Sequence, residues 1–285
     1  MRHPFPPEHL SRRAAAMDLH VHSTCSGDGL STIAGYARQA RSAGLEIVGF
    51  CEHADFDPRD RDYHYLNLAR YDEEIAQARG VFPEILFLKG VELTYQAGLD
   101  DPIGDWLAGH PWDYVLASVH LVDYDDDWAI ISEPDTSKAY FTSHTCREAY
   151  VPYFEELLRA ARSGLADVLG HLDLVKRHGT AHYGPFEPGA FADEIRTVLR
   201  TVVEAGMGLE INTSGLRQSP REAYPSLEVL RWYRELGGEI VTLGSDAHHV
   251  QELGASILDA SELARAAGFR AAAYYERRQV RWVDL

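Results

Sequence analysis

Short apolar runs alternate with longer stretches of helical period along this chain, and the alternation is sustained. Residues 17–22, Met-Asp-Leu-His-Val-His, read as a buried strand. Further runs at 45–51, 85–91, 113–118, 166–169, 208–211 and 239–243 have the length and apolar content of strands in a parallel sheet. Between them the spacing predicts helices. The first has Ser31 as N-cap, Ile33, Ala37 and Ala40 on one face, and Gly44 at its stop. Others are expected over residues 68–79, 147–163 and 226–236. A further one over 191–204 carries Ile195, Val198, Leu199 and Val202 as one stripe, with Gly206 ending it.

Seven strand-to-helix units in succession predict an α/β fold, either a closed barrel or a doubly wound open sheet. The polar residues favour the barrel. Nearly every run is apolar and then presents His, Asp, Glu or Asn at its C-terminal end, and in a (β/α) barrel those ends converge on one mouth. In an open sheet they would be spread along a crevice. The expected architecture is a seven-stranded barrel over residues 17–285, preceded by an arm, 1–16, in which His3 and His9 are solvated. Residues 270–285, with Tyr274, Tyr275 and Trp282, are expected as a closing strand or a cap outside the barrel.

Composition narrows the class. A chain of 285 residues with 45% hydrophobic and 25% charged content is that of an ordinary globular protein. No apolar run reaches the roughly 20 residues that span a bilayer, and residues 1–16 lack a signal core. Three cysteines, Cys25, Cys51 and Cys146, form no pairing pattern, which fits a reducing, cytoplasmic setting. The net charge of −17 argues against a nucleic-acid partner. It argues equally against an anionic substrate unless the site supplies its own positive charge. No glycine-rich dinucleotide or P-loop motif is present.

The candidate chemistry lies at the strand ends. His20 and His22, two residues apart on a strand, face the same side about 7 Å apart along it. Lined up with them are Asp28, His53, Glu92, His120, His171, Asp246 and His248. Each alone has a bland reading as a cap, a core histidine or a surface acid. Six of seven strand ends carrying such groups is a pattern of metal ligation.

Asp-Leu-His-Val-His followed by Gly-Asp-Gly, then Cys-Glu-His, Gly-Val-Glu, Ser-Val-His, Gly-His-Leu-Asp and Ser-Asp-Ala-His, resembles the ordered motif set of the PHP (polymerase and histidinol phosphatase) family, from about residue 17 to 250. The resemblance implies a distorted (β/α)7 barrel with three divalent ions at the strand C-terminal mouth. It implies His20, His22, Glu92 and Asp246 on the first ion, Glu92 with His120 and His171 on the second, and Asp28, His53 and His248 on the third. The mixed nitrogen and oxygen set suits Zn, Mn or Fe. Three such ions outweigh three carboxylates and so admit a phosphate dianion to an acidic protein. The expected chemistry is in-line attack by a metal-bridging hydroxide, with Glu92, Asp246 and His248 as the catalytic residues.

Residues 170–177 and 210–217, with Tyr224-Pro225-Ser226, look like the histidinol-phosphatase branch. The expected substrate is L-histidinol phosphate, a small-molecule partner on the route to histidine, with Arg177 and Arg217 as substrate-binding forks for the phosphate. Asn212 and Ser214 are candidates for neutral hydrogen bonds. An acidic or aromatic wall for the cationic end is sought in Asp123, Tyr124, Asp125, Asp126, Asp127 and Trp128, or in Tyr63 and Tyr65. Cys25 reads as packing, and His249 as a candidate proton shuttle. His64, His110, His144, His178 and His182 match no ligand motif. The alternatives are another small phosphate ester, a metal-dependent amidohydrolase, and a non-catalytic metal-binding module.

Overall fold

The computed structural model describes residues 14–125 and 127–285. Its strands are β1 (Met17–Val21), β2 (Ile47–Ala54), β3 (Leu86–Thr94), β4 (Tyr114–Ser118), β5 (Leu121–Tyr124), β6 (Asp127–Ile130), β7 (Val168–Leu169), β8 (Gly208–Asn212), β9 (Val241–Gly244), β10 (Ala271–Glu276) and β11 (Gln279–Asp284). Seven of them form one parallel sheet in the order β1-β2-β3-β4-β7-β8-β9. The sheet curls until its edges meet. A parallel bridge between Val21 and Ala247 closes it, with His22 N–H donating to Ala247 O at 2.9 Å and Ala247 N–H to His20 O at 3.2 Å. The predicted seven-stranded barrel is therefore present and nearly closed.

The same two edge strands are joined lower down by a side chain. Asp18 is fully buried and accepts from Ser245 N at 2.9 Å, Ser245 Oγ at 2.5 Å, Gly254 N at 2.8 Å and its neighbour His20 N at 3.3 Å. Its carboxylate takes the place of ladder bonds that β1 and β9 do not make.

Tyr114 fills the barrel interior. Its hydroxyl donates to Leu19 O at 2.6 Å, and its ring occupies space left by two glycines. A Cβ at Gly49 would lie 2.4 Å from Tyr114 Oη, and one at Gly90 would lie 2.3 Å from its Cζ. Those glycines interrupt otherwise apolar strands because an aromatic ring from a neighbouring strand crosses over them.

Helices cover the outside where the periodicity places them. Ile195, Val198, Leu199 and Val202 are the buried stripe of helix Ala192–Glu204. Helix Ile33–Ala43 ends at Gly44 with φ 73°, but its cap is Thr32, not Ser31: the Thr32 hydroxyl accepts from Gly35 N, while the Ser31 hydroxyl accepts from Val250 N across the barrel seam. The predicted arm also ends earlier. Ala14–Ala16 is a 3-10 turn with Ala14 fully buried in the core; residues 1–13, with His3 and His9, lie outside the described residues.

Two antiparallel hairpins stand apart from the barrel sheet. Residues 271–284 form β10–β11, a cap and not a closing strand. It sits beneath the strand N-termini: Arg278 N donates to Asp113 O, and its guanidinium to Asp167 and Leu165 O, just ahead of β4 and β7. The acidic stretch after His120, read from sequence as a loop, is the hairpin β5–β6, because Leu121, Val122, Ala129 and Ile130 on its two strands pack inward. Asp126 lies outside the described residues. No helix among the described residues is long and apolar enough to cross a membrane.

The Tyr114 arrangement is testable by urea denaturation. Gly90→Ala should destabilise by about 1–3 kcal/mol through overpacking, and Tyr114→Phe by about 1 kcal/mol through the lost hydrogen bond. A Gly90→Ala protein as stable as the wild type would mean that the ring does not fill this space.

Candidate metal centre

The seam that closes the barrel also assembles the site. His20 and His22 project from β1 on one side, as the two-residue period requires, and their Nε2 atoms lie 2.9 Å apart. Glu92, near the end of β3, faces them with Oε2 at 3.2 Å from His20 Nε2 and 3.3 Å from His22 Nε2. Its other oxygen, Oε1, is 2.9 Å from His171 Nε2 and 3.5 Å from His120 Nε2. One carboxylate thus presents its two oxygens to two separate groups of imidazoles. Asp246 Oδ1 stands 3.8 Å from His20 and 3.7 Å from His22. On the outer side, Asp28 Oδ2 is 3.0 Å from His248 Nε2 and 3.5 Å from His53 Nε2.

All nine sequence-predicted ligands therefore converge. Their donor atoms fall into compact sets: His20 with His22 and Glu92, Glu92 with His120 and His171, and Asp28 with His22, His53 and His248. Within each set the atoms lie inside 4.8 Å of one another, the spacing of a coordination sphere. His171 with His20 and Asp246 forms another such set. The residues fit metal on their own terms. Asp28 Oδ1 and His171 Nδ1 are buried without a partner, and ring nitrogens face ring nitrogens where an electrophile would reconcile their lone pairs.

Carboxylates outside the donor sets hold the ligands in place, and these were not singled out from sequence. Glu210 on β8 sits 2.6 Å from His20 Nδ1, accepts from His171 N at 2.9 Å, and accepts from Asn212 Nδ2 at 3.2 Å. This turns the Nε2 lone pair of His20 inward, the arrangement by which a carboxylate orients a metal-binding imidazole. Gly244 makes room for the pair, since a Cβ there would lie 2.4 Å from both Glu210 Oε1 and His20 Cβ. Thr94 Oγ1 meets His120 Nδ1 at 3.0 Å in the same role. Glu52, next to His53 but on the opposite face of β2, accepts from Ser23 N, Ser23 Oγ and Ser26 Oγ, and so orders the loop that carries Asp28. A charged residue inside an apolar strand was the available signal, as at Glu52 and Glu210.

The charges are strongly coupled. Burial opposes protonation of His20, but Glu210, Glu92 and Asp246 together hold its pKa well above the ordinary histidine value. His53 is likewise raised against its burial by Glu92 and Asp28, and His248 by Asp28 and Asp246. Burial, reinforced by His248 and His53, takes His22 down to about 3. His120 also falls to about 3 through burial, which outweighs Glu92. Burial works against ionised Glu92, yet the surrounding imidazoles hold its carboxyl well below the usual range.

The donors open on a cleft of about 230 Å³. Arg177 lines it, with Nη2 3.4 Å from Asp246 Oδ2. Its Nε donates to Gln218 Oε1 at 2.8 Å, and that oxygen also accepts from Tyr224 Oη at 2.7 Å, so a relay aims the guanidinium. Arg61, unmentioned by any motif, also lines the cleft, 3.4 Å from Asp28 and from Glu133. Arg217 is not among the lining residues. Its Nη2 donates to Ser245 O at 2.9 Å, and its Nη1 is buried without a partner. Lys176 is fully buried against Asp173 and Glu222.

The remaining candidates are dispersed. Ser214 Oγ lies 2.7 Å from Asn212 Oδ1 and 3.1 Å from Asp246 Oδ2, buttressing that ligand. His249 caps the turn Val250–Glu252 and does not line the cleft. Cys25 is buried, its thiol pushed up to about 12 chiefly by that burial. Asp123 pairs with Arg59 and Gln96, and Trp128 lies beneath Arg59, away from the cleft lining. Tyr63 stacks on His64 at its side.

Metal uptake displaces whatever protons His20, His53 and His248 hold, and neighbouring carboxylates raise the pKa of all three above the ordinary histidine value in the metal-free protein. Calorimetric titration of zinc into metal-free protein near pH 7, in buffers of differing ionisation enthalpy, should show net proton release. Release should shrink as pH rises and these rings lose their protons beforehand. A heat that is independent of buffer would mean the rings are already neutral.

Comparisons with known proteins give the chain's relatives. The family model for the PHP domain matches residues 18–214. A Deinococcus radiodurans protein named probable histidinol-phosphatase is 32% identical over 92% of this chain and 97% of its own length. The Lactococcus lactis histidinol-phosphatase is 30% identical over 89% and 91%. The crystal structure of the Lactococcus lactis histidinol phosphate phosphatase, complexed with zinc, L-histidinol and phosphate, superposes with a TM-score of 0.83 at 28% identity, over 93% of this chain and 98% of that one.

Proposed function

The chain belongs to the PHP family, and from that premise we propose that it is a metal-dependent phosphomonoesterase converting L-histidinol phosphate to L-histidinol and phosphate. The observation that carries the reading is the meeting of nine donor side chains from six strand ends at one place, seven of them lining a cleft that Arg177 also lines. The names of the Deinococcus and Lactococcus relatives, and the zinc, histidinol and phosphate in the Lactococcus structure, support the substrate.

We assign His20, His22, Glu92 and Asp246 to one ion, Glu92, His120 and His171 to a second, and Asp28, His53 and His248 to a third, with Zn, Mn or Fe suited to the donor set. Bound divalent ions supply positive charge for phosphoryl oxygens and bring the pKa of a water towards neutrality. The rest is the work of the chain. Glu210 and Thr94 fix the tautomers of His20 and His120 so that lone pairs face the cleft. Arg177 offers a planar fork of donors to phosphate oxygens, and Gln218 and Tyr224 set its direction. Asp246 Oδ1 and His248 Nδ1, 3.5 Å apart on the cleft wall, give a short path for the proton lost by water and needed by the leaving alkoxide.

Purified protein with Zn or Mn should release phosphate from histidinol phosphate. Another phosphomonoester hydrolysed about a hundredfold better by kcat/KM would overturn the substrate assignment. Glu92→Gln should abolish nearly all turnover and lower the metal content measured by plasma emission. Gln218→Ala should keep its metal but weaken inhibition by inorganic phosphate about tenfold, the loss expected when a charged fork is no longer aimed. Unchanged phosphate inhibition would remove Arg177 from the anion site.

A further inference from the structure

Lys176 and Arg177 stand side by side at the start of helix Lys176–Tyr183, in opposite surroundings. Arg177 lines the metal cleft, whereas Lys176 is fully buried, a rare state for a lysine. Its ammonium meets an acceptor for each of its N–H groups: Asp173 Oδ2 at 2.9 Å, Glu222 Oε1 at 2.8 Å and Ala223 O at 3.0 Å. The rings of Tyr224 and Phe186 flank it, with centres 5.2 and 5.7 Å from Nζ.

Where those acceptors lie in the chain gives the lysine a task. Glu222 and Ala223 fall between Gln218 and Tyr224, the two residues whose side chains aim Arg177. The main chain of Tyr224 is anchored on Asn212 by hydrogen bonds of 2.7 and 2.9 Å, and Lys176 holds the stretch before it against the helix that carries Arg177. Gly215 lets that stretch fold close, since a Cβ there would lie 2.1 Å from Glu222 O and 2.9 Å from Tyr224 Cε2. Stability alone does not call for a charge here, because well-packed apolar residues often replace a buried ion pair without loss. What the ammonium adds is direction: its hydrogen bonds fix the segment where an apolar contact would let it slide.

We propose that Lys176 is a positioning residue for phosphate binding, tying the 218–224 segment to the foot of helix Lys176–Tyr183 so that Gln218 and Tyr224 aim Arg177 at the anion. Lys176 itself touches no phosphate. The inference deepens the phosphatase reading and rests on it for the role of Arg177. Asp246 shows why the aim matters. Its Oδ2 lies 3.4 Å from Arg177 Nη2 and competes with the anion for the same fork of donors. A guanidinium released from Gln218 turns towards that carboxylate, and phosphate loses its planar partner.

The test is a double-mutant cycle on the full-length, zinc-loaded protein, with calorimetric binding of inorganic phosphate as the readout. Lys176→Met should weaken phosphate at least about fivefold beside Arg177, and less than about twofold in the Arg177→Met background, with zinc content unchanged. Lys176→Met leaves Asp173 buried without its cation, so Glu222→Ala, which cuts the clamp at a partly exposed carboxylate, goes through the same cycle. It should weaken phosphate at least about threefold, again only where Arg177 is present. If Lys176→Met does not fold, Glu222→Ala decides alone. Equal weakening in both backgrounds would overturn the proposal, because the clamp would then serve only general packing, and so would a folded Glu222→Ala protein with wild-type affinity. Phosphate binding that depends on Arg177 and Lys176 in a protein inactive on histidinol phosphate would end the substrate assignment and uphold the positioning role. An Arg177→Met protein that binds phosphate as the wild type does would end the positioning role whatever the substrate.

Discussion

A buried carboxylate joins the first and last strands of this barrel where the backbone scarcely does. β1 and β9 share one bridge, at Val21 and Ala247, and below it Asp18 accepts hydrogen bonds from Ser245 and Gly254. That closure fixes the distance between His20 and His22 on one edge and Asp246 and His248 on the other. Asp246 carries a φ of 55° at this junction, a strained conformation held by what surrounds it.

The same device recurs around the mouth. Asp18, Glu52 and Glu210 are buried acids on strands, Asp18 and Glu52 one or two residues from a candidate metal donor and Glu210 on a strand that carries none, and each is satisfied by several donors. Unpaired, each would cost several kcal/mol in such surroundings. Paired, they convert strand geometry into ligand geometry: Asp18 sets the seam, Glu52 sets the Asp28 loop, and Glu210 sets the ring of His20 and the backbone of His171. The donor sets themselves remain crowded with like and unlike charges, so the protein should be most stable with its ions in place.

The parts legible in the sequence were those governed by local periodicity. A strand's two-residue period put His20 and His22 on one side, and the apolar stripe of Ala192–Glu204 appeared residue for residue. Local rules were less decisive at edges. Thr32 displaced Ser31 as cap because Ser31 was needed to hold Val250, and the aspartate-rich stretch after His120 became a hairpin because its flanking apolar residues found a core. The two arginines looked alike as residues following strand ends, yet Arg177 lines the cleft and Arg217 turns to the carbonyl of Ser245.

Helices Asp100–Ala108, Pro134–Ser143, Lys176–Tyr183 and Ile257–Ala266 were not read from the sequence. What the sequence determined alone was therefore the set of seven strands, five of the helices between them and the identity of the nine convergent side chains. Each follows from spacing that a linear chain carries in itself. Which groups would be partners was decided only by the tertiary structure. The pairing of His20 with Glu210, the clasp of Asp18 on Ser245 and the aim of Arg177 through Gln218 link residues far apart in the chain. Their contacts depend on how far the sheet curls before it closes, a quantity set by packing across the whole barrel and written in no single segment.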